Sequence, residues 1–195
     1  QGGVIFSTIQ KFDKEEIQGV PLVCDILYNS EVRGIYKSQR FYSYYLNTYA
    51  GTMFGKDERN SLLTGGSVAH DVMMLFVDSG FKNICFVGQD LAYPGGKIHA
   101  DDSKVGKTNY IEDIEKSSCY LEVKGYNGGM ILTDNSMNHY RRWIETVIKM
   151  KDNIIDFYDA TEGGAYIEGA ENITLEDYIE KFCEKLEEVD VQKEI

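Results

Sequence analysis

Basic residues are scarce: 20 Lys and Arg stand against 32 Asp and Glu, leaving a formal charge of −12 and a pI near 4.7. A chain this acidic has no general positive field for DNA, RNA or an anionic membrane, because neutralising phosphates needs a local surplus of Lys and Arg. An anionic ligand must be held by local donors. Proline occurs only twice, and no Pro- or Ser-rich linker divides the chain. The four cysteines, Cys24, Cys85, Cys119 and Cys183, form no C-x-x-C pair, which excludes a zinc ribbon and a thioredoxin motif. Reduced thiols in a cytoplasmic protein are the expectation. The longest strongly apolar run, residues 72–77, is far shorter than the roughly 18 residues of a membrane span. No charged, apolar, small-residue leader opens the sequence. Together these absences predict a soluble, cytoplasmic protein with neither nucleic acid nor membrane as a partner.

What is present is globular. The 195 residues, 43% apolar and 12% aromatic, suit one domain that buries about 70% of its unfolded surface. They are too few for a (β/α)₈ barrel of about 250 residues. The sequence starts at Gln1 and runs almost at once into a strand-like stretch at residues 4–9, so a trimmed piece of a longer protein is expected. Short β-rich runs at 4–9, 22–27, 83–88 and 154–158 alternate with helical periodicity, the signature of a mostly parallel sheet covered by helices.

Three helices are predicted. In residues 67–79, Val68, Val72 and Phe76 lie four apart with Ala69 and Met73 beside them, an apolar face expected to pack on the sheet. Gly80 closes this helix. Residues 136–151 repeat the pattern with Met137, Tyr140, Ile144, Val147 and Ile148, entered through Asp134-Asn135-Ser136. Thr174-Leu175-Glu176-Asp177 resembles a capping box ahead of a stripe of Leu175, Tyr178, Ile179, Phe182 and Leu186. Residues 118–133 read as a β-hairpin, two strand-like runs around Gly125-Tyr126-Asn127-Gly128-Gly129. The stretch 30–60 is dense in Tyr and Phe with no clean period.

Three polar, glycine-containing segments could carry chemistry. Thr64-Gly65-Gly66-Ser67 precedes a helix, where free N–H groups and the helix dipole favour an anion; the same residues also suit a plain turn and cap. Gly88-Gln89-Asp90 with Leu91, Ala92 and Tyr93 leaves a strand end, the default ligand position in open α/β sheets. There Gln89 can donate and accept, Asp90 can hold a hydroxyl, and Tyr93 can donate to an anionic oxygen. Asp159-Ala160-Thr161-Glu162-Gly163-Gly164-Ala165 leaves another strand end, with Thr161 and Glu162 able to bond a ribose or sugar and Gly163 allowing close approach. His99, in a loop with Asp101 and Asp102, is a candidate general base or a solvent-exposed histidine without a role. His70 and His139 sit on helices and read as packing or solvent residues. Neither a Walker A loop nor a D-x-D, H-E-x-x-H or EF-hand spacing occurs, so no metal is expected.

These motifs carry a resemblance. Leu63-Thr64-Gly65-Gly66-Ser67-Val68-Ala69, then Val87-Gly88-Gln89-Asp90-Leu91-Ala92-Tyr93 with His99-Ala100, then Ala160-Thr161-Glu162-Gly163-Gly164-Ala165 with Ile167 and Gly169 resemble the bacterial motility accessory factor family. That family is linked to glycosylation of flagellin with nonulosonic acids. Similarity to Rossmann-like bacterial sialyltransferases is weaker and rests on Thr64-Gly65 and the Gly88–Tyr93 segment. The resemblance implies a Rossmann-like α/β domain over residues 1–195, lacking the N-terminal part of the family domain, since no glycine-rich nucleotide motif follows the first strand. It implies transfer of a sialic- or pseudaminic-type sugar from a CMP-activated donor to a Ser or Thr hydroxyl of flagellin or a similar protein, with no further cofactor. Thr64, Gly65, Gly66, Ser67, Gly88, Gln89, Tyr93, Thr161, Glu162 and Gly163 would contact the nucleotide-sugar. Asp90 or His99 would take the acceptor proton, although the histidine of the sialyltransferases falls at a place that reads Ile131-Leu132-Thr133-Asp134 here. Two alternatives stand beside this reading. One is an ATP-dependent pterin pyrophosphokinase, because archaeal enzymes of that kind resemble the same family. The other is a noncatalytic protein-binding module using the aromatic 30–60 stretch. The oligomeric state is left open.

Overall fold

The computed structural model describes residues 21–25, 40–43, 63, 65–94 and 120–183. By its contacts the chain forms two compact units, Gln1–Thr64 and Gly65–Ile195. In the first, strands β1 (Leu22–Asp25) and β2 (Arg40–Ser43) pair in parallel, Val23 opposite Phe41. Strand β2 comes from the aromatic stretch that showed no period. The expected strand at 4–9 lies outside the described residues.

The second unit is an α/β fold with a parallel sheet, flanking helices and an antiparallel hairpin, as the alternation of patterns predicted. Helix α1 (Val68–Asp78) leads to β3 (Asn83–Phe86); β4 (Tyr120–Lys124) and β5 (Met130–Asp134) form the hairpin. Helix α2 (Asn135–Lys151), β6 (Asp156–Asp159), β7 (Glu171–Asn172) and α3 (Leu175–Phe182) follow. Among the described residues the parallel sheet runs β3-β6-β7, with Ile84 opposite Phe157 and Asp159 opposite Asn172. Strand β6 is therefore central, and its fully covered run Phe157, Tyr158 and Asp159 suits a strand buried on both faces. Phe86 stacks on Phe157 with ring centroids 6.3 Å apart, while Tyr158 meets Tyr178 and Phe182 of α3 on the other face. The short β7 escaped the sequence reading because two residues carry no alternation.

Each helix begins on a side-chain cap. Ser67 accepts from the Ala69 N–H, Asp134 from Met137 at 2.7 Å, and Thr174 from Asp177 at 3.0 Å, which satisfies donors that have no intrahelical partner. Helix α2 buries Ile144, Val147 and Ile148 as its period predicts.

Helix α1 corrects an expectation. Its buried residues are His70, Met73, Met74 and Val77, whereas Val68, Val72 and Phe76 are exposed and line an open apolar groove of about 670 Å³ beside β3 and α3. The helix carries two apolar stripes, and its inward stripe includes His70, whose ring is 1% exposed and stacks on Trp143 at 4.3 Å. A histidine among apolar residues hid the true core face. Cys85 and Cys183 line the same groove. Gly80 follows the capping Ser79 with φ of +83°.

Candidate functional site

Strands β3 and β6 are parallel neighbours, so the segments leaving their carboxyl ends emerge side by side. The structure binds these two exits to one another. The Gln89 N–H donates to Thr161 Oγ1 at 3.1 Å, the Ala165 N–H to the Asp90 carbonyl at 2.7 Å, and the Ala160 N–H to the Phe86 carbonyl at 2.8 Å. Gly164, at φ +74°, packs so closely on Asp90 that an added Cβ would overlap the Asp90 backbone. This close approach, more than any ligand, explains the second glycine of the pair. Leu91 and Glu162 both hold positive φ, +50° and +61°, conformations that L-residues adopt at a cost and that cluster at functional sites.

The hairpin supports this pair of loops. Its turn is seated by Gly125, which bridges to Ala165, and by the Tyr126 N–H on the Gly164 carbonyl at 2.9 Å. Tyr126 Oη lies 3.2 Å from the carbonyls of both Asp159 and Ile173. Beneath, Ala92, Val123 and Ala165 form a small buried cluster with Leu91, Leu121 and Ile131 against it. Thr133 Oγ1 donates to the Leu91 carbonyl at 2.8 Å, and the Tyr93 N–H to the Leu132 carbonyl at 2.9 Å. Chain segments far apart in sequence thus hold one short loop in shape.

Asp90 is open to solvent, and partial burial still raises its carboxyl above the usual carboxylate range. Asp159, the last residue of β6, has no exposed surface. One of its oxygens accepts from the Thr161 N–H at 3.0 Å, and the other, Oδ2, has no hydrogen-bond partner. Burial pushes its carboxyl up, hydrogen bonds from Thr161 oppose this, and the Asp90 charge adds to the rise. Sequence reasoning named Asp159 within its motif yet assigned the ligand to its neighbours.

Gly88 and Gly163 have open space around them. Glu162 accepts from the Leu175 N–H at 3.1 Å, at the first turn of α3. Tyr93 is buried, and its hydroxyl donates to the Asp134 carboxylate that caps α2; burial and this bond push its hydroxyl up strongly. Gly65 packs against His70 and Trp143, where an added Cβ would overlap both, and a Cβ added at Gly66 would come 3.8 Å from the Tyr140 ring. Ser67 has its hydroxyl on the α1 cap. His70 is buried, as its helix position suggested, with burial lowering its ring below the usual histidine value; His139 is exposed. Thr64 and His99, with Asp101 and Asp102, lie outside the described residues. Among the described residues no three or more His, Cys, Asp or Glu side chains gather to hold a metal ion, and no helix is long and apolar enough to cross a membrane.

Comparison with known proteins gives two findings. Residues 3–96 match the family model described as MptE-like, 6-hydroxymethylpterin diphosphokinase MptE-like. Among solved structures the chain is similar to the MAf glycosyltransferase from Magnetospirillum magneticum AMB-1, with a TM-score of 0.61 and 15% identity over 78% of this chain and 22% of that one. No curated protein sequence matches. The chain therefore spans about a fifth of that glycosyltransferase's length, and the likeness shows the fold. It agrees in fold with the motility accessory factor resemblance drawn from the motifs.

Proposed function

We propose that this chain forms the donor-binding part of a glycosyltransferase that moves a sialic- or pseudaminic-type sugar from a CMP-activated donor to a Ser or Thr hydroxyl of flagellin or a similar protein. The observation that carries this reading is the pair of interlocked loops at the carboxyl ends of β3 and β6, where ligands of parallel sheets bind, in a fold like that of a MAf glycosyltransferase. On this reading the loops are pre-formed, so little ordering opposes binding. Asp90, whose carboxyl partial burial raises above the usual carboxylate range, takes the acceptor proton on this reading. Gln89, Asp90, Thr161, Glu162, Gly88 and Gly163 border the donor, and the N-terminus of α1 at Gly66 and Ser67 offers N–H groups for its phosphate. The donor is the substrate, and the chemistry assigned to the residues uses no further cofactor.

A second reading is favoured by one observation. The match of residues 3–96 to the MptE-like model includes the α1 start and the β3 exit, so the same loops could serve ATP and a pterin. Calorimetric titration with CMP, and separately with ATP and magnesium, separates the two. Binding of CMP over ATP, weakened about tenfold or more by Asp90→Ala, supports the glycosyltransferase. Selective binding of ATP with magnesium replaces it with the pyrophosphokinase. Asp90 suits this test because its side chain is solvent-exposed, whereas a Gly65 variant would disrupt packing.

A further inference from the structure

The first turn of α1 carries a buried histidine. The His70 ring is 1% exposed, stacks on Trp143 of α2 with centroids 4.3 Å apart and meets the Tyr140 ring edge-on at 5.3 Å. Its Nδ1 has no hydrogen-bond partner and lies against Gly65, where an added Cβ would overlap it. In this place the neutral ring is an aromatic packing residue that joins the two helices. A proton would make it a buried cation whose Nδ1–H meets no acceptor, which is costly. Burial, the largest influence, holds the ring below the usual histidine value. The backbone of Gly65 and Tyr140 and the charge of Asp71 pull the other way, while a charged His139 on α2 adds to the lowering.

We infer that His70 is a pH-responsive latch on the start of α1: neutral, its stack on Trp143 holds the Gly65-Gly66-Ser67 entry to the helix against α2, and protonated it leaves that stack and frees the entry to swing away. The hinge is built into the chain. Gly66, exposed and at φ +88°, precedes the Ser67 cap, so the backbone turns there without side-chain strain. Met73, Met74 and Val77 are buried further along α1 and anchor the rest of the helix without His70. Linkage fixes the direction. A histidine that binds its proton less readily when packed supports the latched form fully above about 6.5 and progressively less as pH falls below it. The latch is therefore closed at neutral pH and opens in acid. Opening moves the Gly66 and Ser67 N–H groups, so the latch regulates donor binding; this consequence rests on the reading of the helix start as a phosphate site, whereas the latch itself does not.

Trp143 is the only tryptophan of the chain, so its fluorescence reads the stack directly. The test follows Trp143 emission, its quenching by acrylamide and far-UV circular dichroism from pH about 8 to about 4.5, across the range in which histidine titrates. The proteins are the chain, His70→Phe and His139→Gln, all without ligand. In the chain, emission and quenching are expected to change together with a midpoint below about 6.5 while the circular dichroism holds. His70→Phe, which keeps a ring and takes no proton, is expected to give a flat profile, and His139→Gln to titrate as the chain does. Signals that stay flat in the unaltered chain overturn the inference, and this arm needs no variant to fold. So does a transition that survives in His70→Phe, or one that is lost in His139→Gln. Loss of circular dichroism in the same step would make the event acid unfolding and overturn the latch as well. Titration with CMP at pH about 7.5 and about 5.5, read as the ratio between the chain and His70→Phe so that the phosphate's own titration near pH 6 cancels, tests the ligand separately. A His70-dependent transition in a chain that binds no CMP would remove the phosphate site and sustain the latch.

Discussion

At the residue scale, two positions are set by what lies against them. Gly65 belongs to a motif that suggested phosphate contact, yet its Cα faces the stacked rings of His70 and Trp143. Gly65→Ala should destabilise the chain by about 1–3 kcal/mol, the usual cost of overpacking, and urea denaturation reads it; an unchanged midpoint would show that the rings give way freely. Asp159 makes the opposite case, a fully buried carboxyl whose ionisation burial opposes. Its carboxyl is raised on folding, so the native state holds a proton that the unfolded chain has released over the interval between the two values. Stability therefore falls as pH rises through that interval. Asp159→Asn removes this dependence. The stability of the variant relative to the parent should grow as pH rises from about 4. Paired denaturation curves at several pH values check this, and a constant difference would mean that the carboxyl does not titrate on folding.

At the scale of elements, the sequence was most readable where a local rule acts alone. Asp134 and Thr174 announce their helices because capping depends on one side chain and the next turn, and the α2 stripe follows from period. The hairpin was legible too, from strand-like runs about a glycine-rich turn. Its role was not, because the bonds from Tyr126 to Gly164 and from Tyr93 to Leu132 join segments about 40 residues apart. The α1 face was misread for a related reason: a helix apolar on two sides leaves the choice to tertiary contacts, here the stacking of His70 on Trp143. The Asp134 carboxylate shows how capping and site support merge, since it holds both the Met137 N–H and the buried Tyr93 hydroxyl. Asp134→Ala should cost about 2–4 kcal/mol, from the lost cap and an orphaned hydroxyl together. Adding Tyr93→Phe to that variant should cost less than it does in the parent, because its partner is already gone. Strict additivity in the double-mutant cycle would show that the two side chains are not coupled.

At the scale of the whole molecule, charge and site stand in tension. The motifs at the strand ends were visible because parallel sheets present ligands there whatever the sequence, and Asp90 and Thr161 stood out among glycines. Asp159 did not, since burial and a missing partner are properties of assembled structure. A chain of net charge −12 repels a nucleotide phosphate at long range, so the attraction must come from groups in direct contact. Salt separates these contributions. Between about 10 mM and about 100 mM the screening length falls from about 30 to about 10 Å, which removes most of the long-range repulsion and leaves contacts of hydrogen-bond length largely intact. Affinity for CMP should therefore stay level or rise over this range, the reverse of a site built on a basic patch, where added salt displaces the ligand. Titration at the two salt concentrations reads the slope directly. A tenfold loss of affinity at the higher salt would require a concentrated positive field that outweighs the acidic surface, and the phosphate would then be held by a cluster of Lys and Arg instead of the N–H groups at the start of α1.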